Sequence, residues 1–213
     1  AFLDALRRDS AARTMVLVGG KPVIRSTPDR TAAELAWLAM DELAGLDTNA
    51  ATVAFLGVEP TSGAGRFALA LPEHAAVGWQ AVLSPAVDLR SLATQGVLSP
   101  DELSLAGQAK ALHHWHEDNR CCGRCGARTR PADGGWKRTC TACGHLMIPR
   151  LDPVVIMLVH DGERCVLARE PRFPERMYST LAGFVEPGED IAAAVRRETR
   201  EEVGLDVEEV VFH

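Results

Sequence analysis

The sequence predicts an α+β protein in three parts: an N-terminal α+β unit over residues 1–98, a connecting helix over 99–118 that leads into a four-cysteine ribbon over 119–149, and a strand-and-helix segment over 150–213. Three observations carry this division. Short apolar segments bounded by turn residues come first, two Cys-x2-Cys pairs follow, and a capped helix dense in glutamate lies last. The composition is that of an ordinary globular chain, with 213 residues, 46% hydrophobic, 24% charged and net charge −6, enough for one or two domains. The strongest apolar run, Val154 to Val159, has strand length, far short of the roughly 20 residues of a membrane-spanning helix. Ala1 to Ser10 contain no apolar core followed by a cleavage site, so a cytoplasmic protein with no membrane partner is expected.

In the first part, the apolar segments Met15 to Val18, Thr52 to Val58 and Arg66 to Leu71 are separated by turn signals. Between the first two, Thr31-Ala-Ala-Glu34 reads as a capping box, followed by the stripe Leu35, Leu38 and Leu43 and by a stop at Gly45, which predicts a helix. Gly63-Ala-Gly65 has no following Lys or helix cap and reads as a hairpin turn rather than a phosphate loop. Ser99 as N-cap, Pro100 at the first helical position and Glu102 completing a capping box open the connecting helix. His113, His114 and His116 lie near its end, where consecutive side chains point about 100° apart, so they do not converge on a metal.

All six cysteines fall between Cys121 and Cys165, and Cys122, Cys125, Cys140 and Cys143 form a C-x2-C-x14-C-x2-C pattern. Two such pairs let short turns present four thiolates tetrahedrally to zinc, and four protein ligands leave no open position, so the ion is structural. Cys165 is expected to be a small core side chain, and only Cys122, not Cys121, keeps the two-residue gap.

After the ribbon, Val154 to Val159 read as a strand, Asp161-Gly162 as a hairpin turn and Arg164 to Ala168 as the returning strand. Asp190 then caps a helix that Gly204 stops. On it Glu198, Glu201 and Glu202, at i, i+3 and i+4, share one face and repel one another. Two remedies are open: a neighbouring arginine, Arg197 being nearest, or a hard cation such as Mg²⁺ or Mn²⁺.

Gly183, five residues, Glu189, seven residues and Arg197-Glu-Thr-Arg-Glu-Glu-Val-Gly-Leu205 resemble the Nudix box G-x5-E-x7-R-E-U-x-E-E-x-G-U at every fixed position except Thr199, where a bulky aliphatic residue is usual. The ribbon placed directly before it, Pro149-Arg-Leu-Asp-Pro153 and Met177-Tyr-Ser-Thr-Leu-Ala-Gly-Phe-Val-Glu186 resemble the zinc-ribbon NADH pyrophosphatase (NAD diphosphatase) family. That resemblance implies the first part of a Nudix α/β/α sandwich over 150–213. It further implies metal-dependent hydrolysis of NADH or NAD⁺ to nicotinamide mononucleotide and AMP, and removal of NAD caps from RNA 5′ ends. In those terms Glu198 and Glu202 are metal ligands and Glu201 lies close to the reacting water or shares the metals. Arg197 orients the carboxylates, Phe184 and Tyr178 bind substrate, and the protein is a homodimer. The catalytic ions are Mg²⁺ or Mn²⁺, and the ribbon holds structural Zn²⁺.

The family's Ser-Gln-Pro-Trp-Pro-Phe-Pro motif does not occur in the sequence, which ends eight residues after Leu205, so a fragment of a longer protein is expected. A Nudix hydrolase for another dinucleotide or ADP-ribose is an alternative. Another is a zinc-ribbon RNA- or protein-binding module with an inactive partial Nudix domain. For the latter, Arg120, Arg124, Arg128, Arg130, Lys137, Arg138 and Arg150 stand against one acid, Asp133, over residues 120–150. Residues 184–213 hold nine acids and three arginines, so the net charge of the whole chain is concentrated there.

Overall fold

Met15, Val16, Leu17 and Val18 form an uninterrupted apolar run, and a strand of that kind is stable only with both faces covered. It becomes β1 (Arg13–Val18), with Met15 and Leu17 in one apolar cluster and Val16 and Val18 in a second. The computed structural model describes residues 2–26, 32–44, 46, 51–77, 79 and 85–213, and the chain divides into two units, residues 1–149 and 150–213. Around β1 the first unit places α1 (Phe2–Arg8), β2 (Lys21–Pro22), β3 (Ile24–Ser26), β4 (Ala33–Leu35), β5 (Trp37–Leu38), β6 (Thr52–Val58), β7 (Gly65–Leu71), α2 (Leu89–Gln95) and α3 (Pro100–Asp118). β7 runs parallel to β1, β6 pairs antiparallel with β7 through the turn containing Gly63, and β2 and β5 pair antiparallel with β1. α3 opens with the expected capping box and supplies Ala106, Ala109 and Leu112 to the Met15 cluster.

The helix expected after Thr31 is a correction. Residues 33–35 and 37–38 are strands, and Thr31 and Gly45 lie outside the described residues. Leu35 and Leu38 are buried as expected, but through pairing: Leu35 lies opposite Ile24, and Leu38 opposite Thr14. Open edges of β1 and β3 offered backbone partners that an isolated helical turn lacks, and tertiary pairing overrode the local propensity. Glu102, the capping-box residue of α3, also accepts the Leu35 N–H at 2.8 Å.

The ribbon belongs to the same unit and forms an antiparallel sheet of β8 (Thr129–Ala132), β9 (Lys137–Cys140) and β10 (Leu146–Met147). Its β8–β9 turn presses against β6. Gly135 has φ +88°, and a Cβ there would lie 2.5 Å from the Val53 carbonyl oxygen, so only glycine permits the approach. Trp136 Nε1 donates to Phe55 O at 2.7 Å. Below the sheet, His116 is buried with both ring nitrogens occupied. Arg138 Nη1 donates to Nδ1 at 2.8 Å, which leaves Nε2–H to donate to Gly135 O at 2.8 Å. Arg138 is itself buried and also donates to Thr129 Oγ1 and Thr129 O, so it is not part of the basic surface its sequence position suggested.

In the second unit β11 (Val154–Met157) pairs antiparallel with β12 (Leu181–Phe184). Val155, Met157 and Leu181 pack on Ala194 and Val195 of α4 (Ile191–Val203). Asp190 caps α4 by accepting from Ala193 N, and Gly204 ends it with φ +70°. Thr199, the departure from the motif, is fully buried and donates to Val195 O at 2.7 Å, which satisfies its hydroxyl inside the packing. The returning strand expected over 164–168 is absent as a regular element; only single bridges, His160 to Cys165 and Ala168 to Ser179, are made, and β12 is the partner of β11. Val166 packs against the core cluster, and alternation therefore turns Cys165 outward, exposed rather than buried.

Burial pushes the His116 imidazole down to about 4, with the Arg138 and His113 charges acting in the same sense and the Gly135 bond and Glu117 opposing. A folded-state value below the unfolded 6.5 means the unfolded chain binds the extra proton. Stability is therefore full above pH 6.5 and falls as pH drops toward 4, by ~3 kcal/mol. Urea unfolding across this window is expected to show that slope in the parent protein and a shallower one in His116→Gln.

Candidate functional site

Two constellations stand out, one in each unit. In the ribbon, the Sγ atoms of Cys122 and Cys143 lie 3.8 Å apart, and that of Cys125 lies 3.5 Å from those of Cys140 and Cys143, with all four within 4.8 Å of one another. A tetrahedron with zinc–sulfur bonds of about 2.3 Å has edges near these values, so the four sulfurs fit one zinc ion. The turns are tuned to thiolates: Arg124 N donates to Cys122 Sγ, and Cys143 N to Cys140 Sγ, both at 3.4 Å. Backbone donation from Cys143 and Ala142 brings the Cys140 thiol down to about 6. Cys121 bridges to Arg128 on the chain flank and is outside the cluster.

In the second unit the organiser is Arg197. Its Nε and Nη2 donate to Glu189 Oε1 and Oε2, both at 2.9 Å, in a bidentate pair, and Nη2 also donates to Phe184 O at 2.8 Å. Its Nη1 reaches Glu198 Oε1 at 3.0 Å and Glu201 Oε2 at 3.1 Å. The hydrogen bonds that Arg197 donates to Glu189 and then to Glu198 raise the already high arginine pKa, and Arg197 in turn lowers that of Glu189. Glu189 also accepts from Glu186 N, closing the loop before α4. Thus Arg197, Glu198 and Glu201 are brought together, Glu189 joins them as the guanidinium's strongest partner, and Glu202 stands exposed one turn beyond Glu198 with no ion pair among the described residues.

Gly183 has a reason that the sequence pattern alone did not reveal. A Cβ there would fall 1.9 Å from Glu198 Cδ and 2.2 Å from Oε1, so the Glu198 carboxylate lies directly on the strand backbone. The Phe184 ring is 61% exposed and lines a cleft of ≈ 610 Å³ with Asp152, Pro153, Val185, Glu186 and Pro187. Tyr178 is exposed on the loop before β12 and does not line that cleft. Asp152 and Glu186, neither of them a sequence candidate, bring acid to the cleft beside the Phe184 ring.

One guanidinium against Glu189, Glu198, Glu201 and Glu202 leaves a surplus of carboxylate oxygens, since Arg200 is turned to Asp206 and Arg196 to Glu208 O. Hard oxygen donors in excess of their local cations suit a divalent ion such as Mg²⁺ or Mn²⁺.

A four-cysteine ribbon followed by a glycine-seated, arginine-clamped glutamate helix defines a zinc-ribbon Nudix protein. Three family models match the chain in order: the NADH pyrophosphatase-like rudimentary NUDIX domain over residues 11–115, the NADH pyrophosphatase zinc ribbon domain over 117–146 and the NUDIX domain over 150–213. The chain belongs to the NADH pyrophosphatase family of Nudix proteins. Among curated relatives, it is 50% identical over 117 residues to Nudix hydrolase 19, chloroplastic, of Arabidopsis thaliana, covering 53% of this chain and 27% of that protein. It is 49% identical over 128 residues to the NAD-capped RNA hydrolase NudC of Mycobacterium tuberculosis (60% and 40%). With the human NAD(P)H pyrophosphatase NUDT13, mitochondrial, the identity is 42% over 127 residues (60% and 36%). The matches span well under half the length of these relatives. No helix among the described residues is long and apolar enough to cross a membrane.

Metal analysis of the purified protein is expected to find one tightly held zinc per chain. Stripping it should expose the amides of β8, β9 and β10 to hydrogen exchange, because a structural zinc supplies folding free energy directly. A protein that retains those protected amides after the metal is gone would contradict the structural role.

Proposed function

We propose that the protein of which this chain forms part hydrolyses the pyrophosphate of NADH or NAD⁺ to nicotinamide mononucleotide and AMP, and removes NAD caps from RNA 5′ ends in the same way. The observation that carries this reading is the Glu198–Glu201–Glu202 face, with Glu198 and Glu201 clamped by Arg197 and Glu198 seated on Gly183, in a chain whose three parts each match the NADH pyrophosphatase family or the NUDIX domain. The names of NudC and NUDT13 support the choice of substrate.

In this reading Glu198 and Glu202 ligate Mg²⁺ or Mn²⁺, and Glu201 lies beside the attacking water or shares the metals. Bound there, the divalent ions neutralise pyrophosphate charge and lower the pKa of a water. Arg197 is a positioning residue: by holding Glu198 and Glu201 from one nitrogen it keeps the two carboxylates side by side. The exposed Phe184 ring offers a stacking face for the nicotinamide side, and Tyr178, exposed on the loop before β12 but outside the Phe184 cleft, offers a second aromatic face to a substrate that extends beyond that cleft. Assembly as a homodimer and a cytoplasmic location, where the four thiols stay reduced for zinc, belong to the same proposal.

Glu202→Gln in the intact protein should leave the fold unchanged and reduce metal-dependent release of AMP from NADH by orders of magnitude. Near-parental turnover would overturn the role assigned to Glu202, and faster release from ADP-ribose than from NADH would overturn the substrate. Gly183→Ala should cost only about 1 kcal/mol in urea unfolding, because the group displaced is the end of a flexible side chain. It should nevertheless weaken Mn²⁺ binding roughly 10-fold or more by swinging Glu198 away from Arg197.

A further inference from the structure

The cations of the ribbon separate into two groups. Arg138 is buried against His116 and Thr129, Lys137 pairs with Asp133, and Arg120 pairs with Glu117. Arg124, Arg128 and Arg130 are exposed and have no acidic partner among the described residues, and Asp133, the one acid between residues 119 and 149, is already taken by Lys137.

The sheet register places two of them on one face. Arg130 lies opposite Thr139, Thr139 lies opposite Leu146, and direct cross-strand partners share a face. Arg128, two residues before Arg130, continues the same side. The alternate positions Thr129, Arg138 and Cys140 are buried, so the face carrying Arg128, Arg130 and Leu146 is the outer one. Leu146 is 58% exposed, Ile148 just beyond β10 is exposed as well, and Arg124 stands on the adjoining first knuckle.

Unpaired guanidiniums beside exposed aliphatic side chains match a polyanion that also offers flat apolar surfaces, because arginine binds phosphate bidentately and stacks on bases. A second copy of the chain docked symmetrically on this face would set arginine against arginine. We infer that the outer face of the ribbon sheet, Arg124, Arg128 and Arg130 with Leu146, binds the body of a single-stranded RNA downstream of its 5′ end. The inference rests on the reading of NAD-capped RNA as a substrate and adds to it a contact made by the ribbon rather than by the glutamate helix.

The test uses fluorescence anisotropy of a short, uncapped, labelled single-stranded RNA titrated with the zinc-loaded protein between about 50 and 200 mM salt. Three phosphate contacts give an expected slope of log affinity against log salt of about −2. The double variant Arg128→Glu/Arg130→Glu should weaken binding roughly 10-fold or more and flatten that slope. Arg124→Glu, on a loop outside the sheet, should weaken it to a smaller degree, with unchanged zinc content showing that both variants are folded. Equal RNA affinity in parent and double variant, or no binding by the parent at low salt, would overturn the inference. So would a dimer that dissociates in the double variant while RNA binding is untouched, which assigns the face to a second copy. The probe carries no cap and is not cut, so loss of NADH hydrolysis with RNA binding intact counts against the proposed reaction alone. Intact hydrolysis with arginine-independent RNA binding counts against this surface alone.

Discussion

The candidate site depends on one guanidinium. Arg197 joins a strand end, a loop and a helix: it donates to the Phe184 carbonyl, to both oxygens of Glu189 and to the carboxylates of Glu198 and Glu201. With Arg197, Glu189 and Glu198 side chains 24%, 14% and 14% exposed, these bonds are partly shielded from water and worth more than an exposed ion pair. Without that cation, three glutamates on adjacent turns would repel one another and the helix would open its acidic face to solvent. With it, Glu198 can lie flat on Gly183, and the remaining carboxylate charge is gathered where a divalent ion is wanted.

The same economy of charge explains the odd distribution along the chain. The acidity sits in residues 184–213, at the predicted cation site, while the ribbon carries six basic residues against one acid. Within the ribbon the structure makes a further division. Arg138 becomes an interior strut that holds His116 and Thr129, and three arginines stay at the surface without partners. A buried guanidinium beside a neutral imidazole is tolerable because each of its three nitrogens has an acceptor; protonating His116 would place two cations in contact, which is why burial and Arg138 act together on its pKa.

Much of this was legible in the sequence because it depends on spacing. Cys122, Cys125, Cys140 and Cys143 need only two short turns to converge, and Ser99 and Asp190 cap their helices through bonds to residues three positions away. The segment after Thr31 departs from its helical pattern because Leu35 and Leu38 satisfy a helical stripe and a strand equally well; β1 and β3 decide between them, and no local pattern records partners that distant in the chain. Cys165 is exposed for a related reason: alternation assigns one of two neighbours to the core, and only the packing of Val166 says which.

By itself, then, the sequence determined the four-cysteine cluster, the helix that carries Glu198, Glu201 and Glu202, and the family to which their spacing belongs, since each rests on residues close together along the chain. Tertiary structure alone decided that Gly183 is the seat of Glu198, that Glu189 is the main partner of Arg197, that Arg138 faces inward while Arg128 and Arg130 face outward, and that Phe184 is exposed along a cleft. Those facts depend on which strand lies against which helix and on which face of a sheet is covered, and burial and close approach are properties of three-dimensional neighbours rather than of sequence order.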